Sequence, residues 1–151
     1  MRRIAAAALL AVSSLALLPA AGVTGGPPGC GLKPDGNCPG VDYSGQDLSK
    51  TNAPNANFFS AKFIETNLSD SNFTSAIFAR ADLRDANARR ALFARANLKR
   101  ADLRGTNFNN ANLRRADLTN ATLGNTVFDG ATFCHTTMPD GSNRSDPKGC
   151  S

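Results

Sequence analysis

One histidine and four cysteines are the residues of this chain best suited to chemistry. A Ser/His/Asp arrangement would have to use His135, the single histidine, which stands beside Cys134. No CxxC spacing or His/Cys cluster with zinc-ligand spacing occurs in the sequence. No glycine-rich phosphate loop opening a helix occurs either. We therefore predict a protein that is not an enzyme, with no catalytic residue, no metal site and no cofactor.

A basic segment is the second feature that could carry a function. Between residues 80 and 115, ten basic residues stand against three acidic ones. We call these ten residues the basic belt: Arg80, Arg84, Arg89, Arg90, Arg95, Lys99, Arg100, Arg104, Arg114 and Arg115. The belt indicates a site for a polyanion or an acidic protein patch. The alternative interpretation is a solvated, mildly basic surface without a partner.

A five-residue period must position these groups. Large apolar residues recur at every fifth place from Tyr43 to Met138, with Ala53 and Ala88 filling two places. A small residue stands two places earlier in eighteen of the twenty repeats, and Asn or Asp stands between in thirteen. A helix would rotate residues five apart by about 140°, and a strand would send them to alternate faces. The chain therefore turns a corner every five residues, and four corners close a square coil of 20 residues.

These repeats resemble the A(D/N)Lxx unit of the pentapeptide repeat family, as in Ala101-Asp102-Leu103-Arg104-Gly105. The resemblance covers residues 41–140 and implies an all-β, right-handed quadrilateral β-helix of about five coils. Equivalent belt residues then stack on successive coils in three pairs: Arg80 with Arg100, Arg84 with Arg104, and Arg95 with Arg115. Stacked like charges repel, so we expect either a compensating anion or tolerance on a solvated surface.

The length of such a rod restricts the disulfides. Cys30 and Cys38 precede the first predicted coil, whereas Cys134 and Cys150 lie in and after the last. Bridged cysteines need Cα atoms closer than about 7 Å. Of the three possible connectivities, only Cys30–Cys38 with Cys134–Cys150 avoids linking the two ends. We therefore predict these two bridges.

The segments that flank the repeats have no apolar periodicity. We predict that residues 23–40 and 141–151 are cysteine-containing loops that cap the two ends of the coil at residues 41–140. An uncovered end would expose unpaired backbone and apolar side chains. An end-to-end homodimer is the alternative way to cover it.

The N-terminus is typical of a secretory signal peptide. Met1-Arg2-Arg3 is followed by an apolar run from Ile4 to Leu18 and by small residues up to Gly22. A membrane anchor is the alternative, but a spanning helix needs roughly 20 apolar residues. We predict cleavage after residues 1–22, a secreted or periplasmic location, and a mature chain that is not an integral membrane protein. Losing Arg2 and Arg3 leaves 15 basic and 12 acidic residues.

Four apolar residues, Phe59, Ile64, Ile77 and Leu92, fall at outward positions of the repeat. They predict either an apolar contact patch or packing beneath the N-terminal loop.

Together these features predict an exported, non-enzymatic binding or scaffold protein whose belt contacts an anionic envelope polymer or a partner protein. We expect no specific nucleic-acid partner, because the belt's Phe93 and Phe108 are predicted to face inward. The alternative is the role of quinolone-resistance relatives, which imitate DNA and bind gyrase. That role requires a cytoplasmic, acidic rod, and both the export signal and the basic belt disfavour it.

Overall fold

The computed structural model describes residues 30–147 and 150, and the chain there forms a stack of four-sided coils. The predicted signal peptide (1–22) and residues 23–29 lie outside the described residues. Parallel bridges join each residue to the one twenty places on, without a break from Asn37–Asn57 to Asp117–Thr137. This register confirms the predicted coil of 20 residues.

The regular coil begins one repeat before the predicted boundary at Val41. Asn37 already pairs with Asn57, while Gly36 and Cys38 are buried at the small and large positions of the repeat. Residues 36–40 are therefore part of the coil rather than of a linker. The half-cystine Cys38 occupies the place that leucine or phenylalanine holds in later repeats.

Each corner is a β-turn whose third residue has left-handed backbone geometry. Every fifth residue from Asp35 to His135 has a positive φ, between 52° and 70°. The N–H after the turn donates to the carbonyl of the large residue before it, as from Thr66 to Phe63 (3.2 Å). A type II turn needs a positive φ at this third place. Most of these residues are not glycine, so the coil carries a steric cost at most corners.

The Asn and Asp column supports these turns. In twelve of its thirteen repeats the side-chain Oδ1 accepts the N–H of the residue two places on. The exception is Asn52, because Pro54 has no N–H to donate. Amides also bond between coils, as from Asn67 Nδ2 to Asp47 Oδ1 (2.9 Å). The column therefore serves the coil and is not a set of catalytic acids.

Large side chains fill the axis in four columns. The Phe78 ring lies 5.0–5.4 Å, centroid to centroid, from the rings of Phe58, Phe63, Phe73 and Phe93. The bridges that join Asn72, Leu92 and Asn112 place Phe73, Phe93 and Leu113 in a single column. Beside Ala88, the small member of the next column, the rings of Phe93 and Phe108 meet edge to face at 5.5 Å. Neighbouring rings thus compensate for the missing side-chain volume.

The C-terminal end is closed by a hairpin rather than by an irregular loop. Strand β1 (Thr136–Thr137) pairs antiparallel with β2 (Asn143–Arg144), and the Arg144 guanidinium carbon lies 3.8 Å from the centroid of the Phe133 ring. Leu123, predicted to face the axis, is instead 36% exposed. Among the described residues no further coil stacks above Leu123, and the arginine covers Phe133 in another column. An end-to-end homodimer, the alternative to a capping loop, would cover Leu123.

Both predicted disulfides, Cys30–Cys38 and Cys134–Cys150, are present. Each ties a flanking segment to one end of the coil. Within residues 30–147 and at residue 150, no helix is long and apolar enough to cross a membrane.

Truncation of Phe78 tests the core. Phe78→Ala should lower the free energy of unfolding by about 3–5 kcal/mol, because it removes a buried ring that contacts four others. Phe59→Ala is the matched control; this ring is 42% exposed, and its loss should cost less than about 1 kcal/mol. Urea unfolding of the purified protein measures both values. Equal losses of unfolding free energy in the two variants would contradict the stacked core.

Candidate functional site

The four sides of the coil differ in charge. One side consists of residues 51–55, 71–75, 91–95, 111–115 and 131–135, which stack in register. It carries three arginines, one histidine and no aspartate or glutamate, and we call it the basic side. The side made of residues 41–45, 61–65, 81–85, 101–105 and 121–125 carries three basic and five acidic residues, and we call it the acidic side. The belt is therefore not an even ring of positive charge.

Two belt arginines on the acidic side are neutralised within the chain. The Arg84 guanidinium lies 2.8 Å from Asp82 Oδ2 and 3.9 Å from Asp102 Oδ2. Arg104 lies 2.6 Å from Asp102 Oδ2, and its hydrogen bonds hold the pKa of Asp102 below the ordinary value. The compensating anions expected for this stacked pair are thus the chain's own carboxylates.

Two further belt residues form ion pairs between coils. Arg90 donates to both carboxylate oxygens of Asp70, twenty residues earlier, at 2.6 and 2.7 Å. Lys99 Nζ lies 3.1 Å from Asp117 Oδ2. The hydrogen bond from Arg90 lowers the pKa of Asp70. These side chains hold neighbouring coils together and are unavailable as simple cations for a partner.

Three of the other belt arginines, Arg95, Arg114 and Arg115, share the basic side. Among the described residues no carboxylate forms an ion pair with Arg80, Arg89, Arg95, Arg100 or Arg115. Arg80 lies over the Phe59 ring, 5.9 Å from its centroid. Arg95 and Arg115 stack directly, at φ 61° and 58°. Glycine or asparagine suits that conformation better, so the coil itself does not require arginine at these places.

A surface pocket of about 480 Å³ opens between these two arginines. Its walls include Arg95, Arg114, Arg115 and the Cys134–Cys150 disulfide. Ala94 also lines it, and we call the part of the pocket beside this small side chain the notch. Backbone hydrogen bonds between successive coils fix this arrangement. The Arg95 N–H donates to the Arg114 carbonyl and the Arg115 N–H to the Cys134 carbonyl, both at 2.8 Å. All three arginines belong to the predicted belt, but the sequence does not distinguish Arg95 and Arg115 from the arginines that form ion pairs.

Cys134, His135 and Cys150 also lie together, with potential ligand atoms within 4.8 Å of one another. Both sulfurs are engaged in the disulfide, whereas a metal ligand would be a thiolate. His135 is exposed, and its backbone N–H donates to Ser145 Oγ (2.8 Å). This cluster therefore serves the cap and is not arranged as a thiolate metal centre.

The outward apolar residues do not form a single patch. Ile77 pairs with Asn57 and Asn97, whereas Leu92 pairs with Asn72 and Asn112 on the adjacent side. Ile64 is half-buried at a corner of the acidic side. Phe59 and Ile77 share one side, whereas Ile64 and Leu92 lie on the two sides next to it, so the four residues do not lie on one side of the coil.

Residues 37–74, 76–115 and 111–140 match the family described as pentapeptide repeats, in eight copies. The chain belongs to the pentapeptide repeat family. This membership confirms the predicted right-handed quadrilateral β-helix.

Similar solved structures are pentapeptide repeat proteins. Rfr23 from the cyanobacterium Cyanothece 51142 is 27% identical, with a TM-score of 0.66, over 73% of this chain and 88% of that one. A pentapeptide repeat protein of the Arabidopsis thaliana thylakoid lumen is 30% identical over 75% of this chain and 70% of its own, with a TM-score of 0.24. QnrB1, a plasmid-mediated fluoroquinolone resistance protein, is 21% identical over 79% of each chain, with a TM-score of 0.36. No curated protein sequence matches significantly.

The pKa of Asp102 tests the division between paired and available arginines. Because this pKa is depressed in the folded state, Asp102 stabilises the fold above its unfolded pKa of about 3.9. That stabilisation is lost as the pH falls through the folded pKa. Arg104→Ala should raise the folded pKa of Asp102 and weaken the acid dependence of stability. Arg95→Ala, the charge-matched control, should leave this pKa unchanged in a carboxyl NMR titration. An equal shift of the Asp102 pKa in both variants would contradict the division between ion-paired and available arginines.

Proposed function

We propose that this pentapeptide repeat protein is an exported, non-enzymatic binding or scaffold protein that presents its basic side to an anionic partner. The observation that carries the proposal is the stacked pair Arg95 and Arg115. They lie on a side without carboxylates, at backbone positions where the coil has no need of arginine. The energetic cost of stacking like charges is offset when an anion binds between them.

The form of the coil favours an extended partner. Equivalent residues on successive coils are about 4.8 Å apart, so the basic side presents charge along a line rather than at a single point. An anionic envelope polymer, or an acidic segment of a protein, fits such a line. Apart from the partly buried Phe128, the aromatic rings of the core are fully buried and offer no stacking platform for bases, which argues against a specific nucleic-acid partner.

The role of the fluoroquinolone-resistance relatives is not part of the proposal. Imitating DNA requires rows of negative charge, whereas the basic side lacks acidic residues. On the acidic side, the five acidic residues are interspersed with Lys62, Arg84 and Arg104. The sequence of residues 1–22 also favours export over a cytoplasmic location.

A matched pair of double variants tests the basic side. Arg95→Ala/Arg115→Ala should elute from a polyanion column at clearly lower salt than the unmodified protein, because two available cations are lost. Arg84→Ala/Arg104→Ala removes the same net charge from ion-paired positions and should elute nearly as the unmodified protein does. If both double variants elute alike, retention reports net charge alone and the basic side has no special role.

Export is tested separately in the native host. The mature protein should appear in the periplasmic or extracellular fraction, with an N-terminus near Val23 as read by intact-mass analysis. Both disulfides should be oxidised there, since cytosolic thiols are kept reduced. A cytoplasmic protein that retains residues 1–22 would contradict the proposed location.

A further inference from the structure

We propose that the pocket between Arg95 and Arg115 is a discrete site for one phosphate group of an anionic ligand. This inference rests on the proposed function and specifies the chemistry of its central contact. It follows from the donors around the pocket, from their charge, and from the notch at Ala94.

The polar groups of the pocket are arranged to donate hydrogen bonds. Arg95 and Arg115 contribute guanidinium groups, which have no acceptor atom. Asn112 also lines the pocket, and its Oδ1 already accepts the Arg114 N–H at 3.1 Å. Its amide NH₂ is thus the part of Asn112 that remains for a ligand. No aspartate or glutamate lines the pocket, so its ligand must be rich in acceptors.

Charge and oxygen count favour phosphate over carboxylate. Two stacked guanidiniums without an ion pair among the described residues match a doubly charged group. A carboxylate brings one charge and two oxygens, whereas a phosphate monoester brings nearly two charges and three terminal oxygens. Three oxygens can accept from both guanidiniums and from the Asn112 amide at once. Arginine forks pair with phosphate in a bidentate manner.

The pocket is also larger than a bare phosphate ion requires. Its volume of about 480 Å³ falls within the range of roughly 300–1,000 Å³ typical of ligand pockets. Ala94 and Thr74, at equivalent corner places, are small and leave this space open. The Cys134–Cys150 disulfide forms a less polar wall. The bound group is therefore a phosphate ester whose carbon-containing part lies against the sulfurs.

Ala94→Phe separates the pocket from the basic side, because it fills the notch and removes no charge. A phenylalanine is accepted at the equivalent place of another corner, since Phe59 occupies it in this chain. The Arg95 and Arg115 Nε–H signals would be followed by NMR while glycerol phosphate is added at constant ionic strength. The mature, oxidised protein should show saturable shifts. Ala94→Phe or Arg95→Ala should weaken binding by about tenfold or more, the equivalent of one charge-assisted hydrogen bond.

Several outcomes would overturn the site. Chloride and acetate at equal ionic strength should not reproduce the shifts. If either anion does, the pocket does not recognise phosphate. Unchanged affinity in a folded Ala94→Phe protein would place binding outside the notch. If Ala94→Phe keeps full retention on the polyanion column while phosphate shows no saturable binding, the proposed function stands and the pocket fails. Retention on the polyanion column that is lost in Arg95→Ala/Arg115→Ala, but not in Arg84→Ala/Arg104→Ala, supports the proposed function and does not bear on the pocket.

Discussion

The stacking of each residue on the one twenty places later is the constraint on which the structure depends. Parallel bridges hold this register from Asn37 to Thr137, and a left-handed residue at every fifth place turns the chain so that the register can close. Each side chain of an inner coil therefore has fixed neighbours above and below. A substitution at one position changes the surroundings of two others on adjacent coils.

This constraint makes the order of charges within a column energetically important. Opposite charges in one column attract, as Asp70 and Arg90 do at 2.6 Å. Like charges repel unless another group intervenes, and Asp102 does so by lying within 4 Å of both Arg84 and Arg104. Arg95 and Arg115 have no intervening carboxylate among the described residues. An external anion that binds at their column therefore relieves this repulsion.

Much of the coil could be predicted from sequence because its period is local and uninterrupted. The columns, the turns and both disulfides follow from spacing and from the length of the rod. The ends could not be predicted in the same way. Cys38 keeps the period but is not a typical core residue, and the β1–β2 hairpin depends on contacts of Arg144 with Phe133. The basic residues alone do not predict the ion pairs, because these depend on which side of the coil the acidic residues occupy.

The C-terminal cap and the candidate site are linked by the place of Cys134. This residue stands at the corner that carries Arg95 and Arg115, in the last coil that the described residues form there. The disulfide brings Cys150 to that corner, where it supplies a wall of the pocket. The same bond that closes the end of the solenoid therefore also shapes the site. Stability of the cap and recognition of an anion are then properties of one corner.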